Sequence, residues 1–277
     1  LVATRQLTQK GLDLPILSCV TGDTLLYTNR GMLPISKIRK ERFENMPLQI
    51  RNFGVSTGRN FINRNILWHY HGRKKIKKLI LQGGYSLRGS REHKVLTLTK
   101  NLDFVYKELC SVELNDVVCI RLGSNVFAEK PIDLSSFVFC QPADLSINDG
   151  NFQSKKEEYV TTPSTMSVPL ARLMGYLISE GSVKSDSLFQ FSNTNKKLVY
   201  EFIALTKEVF SLRDTDFYVN ATNREGCKTS WNVQVHSRKM CQFYRFSGVT
   251  SAYAPTKRIP WSILESPKIY ISNFIQT

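Results

Sequence analysis

Cys19-Val20-Thr21-Gly22-Asp23-Thr24-Leu25-Leu26-Tyr27-Thr28, closed by the turn Asn29-Arg30-Gly31, is the stretch on which the reading of the fold depends. A cysteine stands just ahead of a Gly-Asp turn, a short apolar run follows, and Asn-x-Gly reverses the chain as hairpin turns do. The same texture of short alternating runs broken by turn residues extends outward through KIKKLIL (75–81), GGYSLRG (83–89) and HKVLTLT (93–99). Residues 19–125 are therefore expected to be mainly β. Residues 126–165 hold Pro131, Pro142 and Pro163, several Ser and Asp, and the charged run 154–159. They read as a linker with one strand at 135–140. From residue 166 the period changes: VPLARLMGYLISEG (168–181) and NKKLVYEFIALTKEVF (195–210) space their apolar residues by three and four, as amphipathic helices do. DFYVNA (216–221) and WNVQVH (231–236) read as strands between helices, so 166–277 is expected to be α+β.

Composition sets limits around this reading. At 277 residues, with 42% apolar and 22% charged side chains, the chain suits one large or two modest globular domains and is a poor fit to disorder or coiled coil. No apolar run approaches the roughly 18–20 residues that span a bilayer, and LVATRQLTQKG lacks an initiating Met and a signal-peptide apolar core, so no membrane is expected and residue 1 is read as not a natural start. The formal charge is +15, divided as +1 over 1–18, +11 over 19–125, −3 over 126–165 and +6 over 166–277. Two basic blocks around an acidic stretch suggest a polyanionic partner, a solvated surface being the plainer reading. Six cysteines (19, 110, 119, 140, 227 and 241) form no CxxC pair, which favours free thiols in a reducing, intracellular setting. His69 and His71 lack cysteines at ligand spacing, so zinc is not expected.

A thiol at Cys19 can attack the carbonyl of Ser18 through a five-membered ring and turn an amide into a thioester. That step is uphill for an ordinary peptide and needs thiolate character, a proton for the departing amine and a stabilised oxyanion. The stretch Gly84-Tyr85-Ser86-Leu87-Arg88-Gly89-Ser90-Arg91-Glu92-His93 ends in Ser-x-x-His. An imidazole titrating near about 6.5 can deliver the proton, and the Ser90 hydroxyl can hold the amide or orient the ring. A cysteine and a distant histidine are, on their own, more often structural.

Taken in order, Cys-x-x-Gly-Asp-Thr at 19–24, the Asn-x-Gly turn with Leu-Pro-Ile at 33–35, and Gly-x-x-Leu-x-x-Ser-x-x-His at 84–93 closely resemble the N-terminal splicing blocks of inteins, self-excising elements built on the Hint β-fold. The resemblance covers roughly 19–122 and includes 112–118, similar to the family's Leu-x-x-Gly-Asp-x-Val with Asn115 in place of Gly; Ser90 replaces the commoner Thr. It implies that Cys19 is the first intein residue, that Ser18–Cys19 is the scissile bond, that Ser90 and His93 assist, that splicing needs no cofactor, and that residues 1–18 end a flanking extein host protein.

Leu170 to Gly181 reads as a helix ending in Glu180 and a C-terminal glycine, a placement that sets a negative charge against the helix dipole at a cost of about 0.3–1 kcal/mol. Something positive should sit there, either a lysine or a hard cation such as Mg²⁺. Gly175 on the apolar face would let a second helix approach. The segment is similar to the dodecapeptide of LAGLIDADG homing endonucleases, and Lys257-Arg258-Ile259-Pro260 through Leu264 resembles that family's Lys-x-Ile-Pro-x-x-Ile block. The resemblance covers about 166–277 and implies metal ligand Glu180, Lys257 near the scissile phosphate, Mg²⁺ for DNA cleavage and double-stranded DNA as partner. SPKIYISNFIQT (266–277) looks like the opening of a second such motif, and no C-terminal splicing block is present.

The expected architecture is a mainly β Hint splicing domain (N-terminal part, 19–125), a linker (126–165) and an α+β LAGLIDADG-type endonuclease domain (166–277), incomplete at its C-terminus. Completion would come from a longer chain or from a separately encoded C-terminal intein fragment. Two alternatives stay open: a DNA-binding protein with a degenerate, non-cleaving endonuclease domain and no splicing, or a splicing element whose endonuclease region is a remnant. Candidate DNA contacts are Arg73, Lys74, Lys75, Lys77 and Lys78, drawn from a 51–100 stretch with 12 basic residues and one acid, and Arg224, Lys228 and Arg238 on the later strands. The 73–78 cluster is equally readable as a charged edge strand.

Overall fold

The computed structural model describes residues 2–3, 19–41, 50–54, 59–63, 70–120, 127–140, 156–223, 225–226, 228–250 and 256–277. Two compact units divide the chain, Leu1–Phe127 and Ala128–Thr277. Over the whole chain helix and strand take comparable shares, but the first unit is dominated by strands. Among the described residues no helix is long and apolar enough to cross a membrane.

The first unit runs β1 (Val2–Ala3), β2 (Cys19–Val20), β3 (Leu25–Thr28), β4 (Gly31–Pro34), α1 (Ile35–Glu41), β5 (Ile50–Gly54), β6 (Arg59–Asn63), β7 (Ile76–Ile80), β8 (Ser86–Ser90), β9 (Lys94–Leu98), β10 (Phe104–Glu108) and β11 (Val117–Val118). Its antiparallel sheets have the orders β1-β2-β8-β7, β10-β9-β11 and β4-β3-β5-β6. The β3–β4 hairpin forms where expected. Thr28 Oγ1 donates to the Gly31 carbonyl at 2.8 Å and accepts from the Arg30 amide at 3.1 Å, and Gly31 takes φ +90°. Asn115, which stands where the resembling motif has glycine, has φ +73°. Asparagine is among the few side chains that tolerate this left-handed conformation, so the departure keeps the turn. Val20, Leu33, Ile35 and Ile38 pack together with Leu26 and Leu87.

The second unit runs α2 (Val168–Ser179), β12 (Gly181–Val183), β13 (Leu188–Asn193), α3 (Lys196–Phe210), β14 (Phe217–Thr222), β15 (Ser230–His236), α4 (Arg238–Phe246), α5 (Trp261–Leu264) and α6 (Lys268–Ile275). Ser167, Asn195 and Ser237 cap α2, α3 and α4 by accepting from the amides of Leu170, Lys197 and Met240. The strands form one antiparallel sheet in the order β12-β13-β15-β14. Alternation sends Phe189, Phe191, Val233 and Val235 into a core shared with Tyr176, Phe202, Phe210, Phe243 and Tyr244. Phe191 stacks on Phe202 at 4.7 Å, and each buried ring contributes about 1.5–3 kcal/mol. A methyl group at Gly175 would meet the Phe274 carbonyl at 2.5 Å and collide with the Thr277 hydroxyl, so this glycine lets α6 lie against α2.

Part of the segment expected to be a linker is structural. Leu134 and Val160 are at most 1% exposed within the second core. The Leu134 amide donates to Ser164 at 2.7 Å and the Met166 amide to Ile132 at 3.0 Å. No strand forms at 135–140; Phe137 instead sets its ring against Phe243 and Phe246 at 5.4 and 5.5 Å. A helical turn at 156–159 is anchored by a buried cluster. Lys156 pairs with Asp216 at 3.3 Å, the Tyr159 hydroxyl donates to Asp216 at 2.6 Å, and burial first, then Asp216, pushes that phenol up to about 12.

Candidate functional site

Cys19 enters the first unit on β2, fully buried, and β2 pairs with β8 through Val20 opposite Gly89. The Thr21 amide donates to the Arg88 carbonyl at 3.1 Å, and the Arg88 guanidinium pairs with Asp23, fastening the Gly-Asp turn to β8. Asp23 is held below the ordinary carboxylate range by the Thr21 hydroxyl first and by Arg88 as well, against the cost of burial. Ser18 lies outside the described residues, so the geometry of the Ser18–Cys19 bond is not part of this picture.

Ser90 ends β8 and His93 sits on the turn to β9, with the His93 amide donating to the Ser90 carbonyl at 3.1 Å. The Leu109 amide donates to the His93 carbonyl at 2.8 Å and the Cys110 amide to Arg91 at 2.9 Å, clamping this turn from the other side. One point borders both reactive residues: a Cβ built at Gly89 would lie 2.9 Å from the Cys19 carbonyl oxygen and 3.1 Å from His93 Cβ. The strand pairing thus brings Cys19 and the Ser90–His93 turn into one neighbourhood.

Two electrostatic features mark it. Burial pushes the His93 imidazole below its ordinary 6.5, because the low-dielectric surroundings penalise the cation. Ser90 is 1% exposed and its Oγ makes no hydrogen bond of normal geometry among the described residues; the exposed Glu92 carboxylate lies near it and is held low by its own amide first and by Ser90 next. Cys241, by contrast, is a core thiol pushed by burial up to about 12, where thiolate chemistry is out of reach.

In the second unit Glu180 caps α2, exposed, its amide donating to Tyr176 at 3.1 Å. Lys257 reaches the same helix end: its ammonium donates to the carbonyls of Gly181 at 2.8 Å and Ser179 at 3.3 Å. Burial lowers the Lys257 pKa and the Glu180 charge opposes that shift, so the cation expected beside Glu180 is present as this lysine. Among the described residues no three His, Cys, Asp or Glu side chains gather as a ligand set.

The basic candidates divide. Arg73, Lys74, Lys75, Lys77 and Lys78 are all exposed, the last two on β7 at the end of its sheet, where Lys77 donates to the Cys110 carbonyl at 3.2 Å. Lys228 is exposed just before β15; Arg224 lies outside the described residues. Arg238 is not on a strand: it is the first residue of α4, and its amide donates to the Glu157 carboxylate at 2.6 Å.

A surface missed in the sequence is the sheet face opposite the helices. The register aligns Ser182, Gln190, Gln234 and Tyr218 in one row and Ser192, Asn232 and Asn220 in the next. Ser192 donates to Asn232 at 2.9 Å, and Gln190 Oε1 is buried without a partner among the described residues. The signal was there in LFQFSN and WNVQVH, where Gln190, Ser192, Asn232 and Gln234 alternate with apolar residues. Amides in such rows can read adenine edges in a major groove. No family model and no curated protein matches this chain.

Proposed function

We propose that the chain is the N-terminal portion of an intein, with a Hint-type splicing domain in the first unit and a LAGLIDADG-type homing endonuclease domain in the second. The observation that carries the reading is the β2–β8 pairing, which sets Val20 opposite Gly89 and so brings the Cys19 carbonyl beside the Ser90–His93 turn. In the acyl shift the Cys19 sulfur forms a bond to the Ser18 carbonyl carbon and the C–N bond breaks. The neutral imidazole that burial favours takes the thiol proton, and the ring returns it to the released Cys19 amine. A depressed imidazole pKa makes the protonated ring the stronger donor at the moment of transfer. The Ser90 hydroxyl, beside the Glu92 carboxylate, would turn to the amide or the ring. Partners under this reading are the extein host and the segment that completes the Hint fold, in an intracellular, reducing setting; the five described cysteines are all free thiols.

For the second unit the reading makes double-stranded DNA the partner, met by the amide rows and the exposed Lys228. Glu180 would give one carboxylate oxygen to Mg²⁺, the remaining ligands being water and DNA phosphate, a pattern usual for this ion. Bound there, Mg²⁺ would supply Lewis-acid activation of the attacking water. Lys257 would neutralise phosphate charge. One observation favours the alternative of a degenerate, non-cleaving DNA-binding unit: Lys257 already spends its ammonium on the carbonyls flanking Glu180.

The deciding experiment treats the purified chain with a small thiol and follows its mass. The reading requires cleavage after Ser18 that disappears in Cys19→Ala; cleavage unaffected by that change overturns it. For the second unit, Mg²⁺-dependent cutting of a DNA library by the completed protein should vanish in Glu180→Gln, whereas binding without cutting in the parent would establish the non-cleaving alternative.

A further inference from the structure

Gly89 lies within β8, outside the left-handed region of backbone conformation. A glycine inside a strand costs about 0.5–1 kcal/mol relative to alanine, so where no positive φ demands it the position needs another reason. Space supplies one. A Cβ here would stand 2.9 Å from the Cys19 carbonyl oxygen, 3.0 Å from Leu109 Cδ1 and 3.1 Å from His93 Cβ.

We infer that Gly89 is a positioning residue for the acyl shift: its missing side chain is the notch in which the Cys19 strand and the His93 turn close on each other, with Leu109 as the rear wall. The inference rests on the roles given above to Cys19 and His93. Each side of the notch is fastened independently. β2 is held by Thr21 on Arg88 and by the Arg88–Asp23 pair, and the His93 turn by the amide of His93 on Ser90 and by that of Leu109 on His93. Leu109 is 1% exposed. An added methyl therefore cannot be absorbed by moving one loose piece. The first atom it meets is backbone, one residue beyond the scissile bond, and displacing it moves Cys19 relative to the proton donor. Misplacement on the order of 1 Å can cost about 10²-fold in rate.

The test uses the full chain and a saturating small thiol such as dithiothreitol, reading cleavage after Ser18 by mass and the unfolding midpoint in parallel. Gly89→Ala should lower the limiting cleavage rate by about 10–100-fold. Adding Leu109→Val, which removes the wall atom at Cδ1, should recover lost stability and leave the rate low, because the Cys19 carbonyl is still displaced. Parental cleavage in Gly89→Ala, or recovery of rate together with stability in the double variant, overturns the inference. Should Gly89→Ala alone fail to fold, the rate of the double variant decides the same question. Failure of the underlying reading looks different: the parent does not cleave, or Cys19→Ala cleaves as the parent does, and both proposals fall together.

Discussion

Cys19 and Glu180 stand at opposite limits of exposure. The first is fully buried, its neighbours Ser90 and His93 held by strand pairing and main-chain hydrogen bonds; the second is exposed at a helix end, met by one flexible lysine. The difference follows what each would act on. A residue that rearranges its own backbone has its substrate already in place, and a buried, preorganised site strengthens every charge interaction in it. A residue that works on a long polyanion must remain open, and accepts a looser constellation that the partner completes.

The largest expected effect tests the buried site. Cys19→Ala should remove thiol-induced cleavage altogether, while DNA binding by the second unit, measured by electrophoretic mobility, should stay within about twofold, as expected for a residue of the other compact unit. Next comes salt. If six to ten phosphates are engaged, raising salt from about 50 to about 200 mM should weaken DNA binding by about 10³-fold or more, whereas cleavage after Ser18 should hardly change; equal sensitivity would erase the contrast. His93→Ala should slow cleavage by about 10²–10⁴-fold, read as the time course of thioester capture by mass. Ser90→Ala should also slow cleavage while leaving the unfolding free energy within about 1 kcal/mol of the parent in urea titrations, since the hydroxyl it removes interacts with the exposed Glu92 carboxylate.

The smallest effect is on pH. His93 has a folded pKa below its ordinary 6.5, so the folded state binds fewer protons than the unfolded chain. The stability of the first unit should be fully present above about 6.5 and decline as pH falls through the unfolded value. The thermal midpoint of His93→Gln should be flatter across that window than that of the parent.

The strands of the first unit were legible because alternation and turn residues are local signals, and β3, β4, β7, β8 and β9 form within the stretches so read. The helices α2 and α3 were legible by their period and caps. The notch at Gly89 was not, because no linear spacing says that β2 lies against β8. Residues Leu134 and Val160 were hidden in a proline-containing, polar stretch, where they follow no period. The amide rows were visible as alternation, but which face the helices cover is settled only by packing. Arg238 was assigned to a strand because the alternation of WNVQVH was carried on through Ser237, which instead caps α4.

The anchored turn at 156–159 bears on how the second unit can be dissected. A recombinant piece begun at residue 166 would strip Lys156 and Tyr159 from Asp216 and uncover the cavity left by Leu134 and Val160, inviting precipitation. A piece begun at residue 128 carries its own closure, and is the boundary from which soluble expression should start.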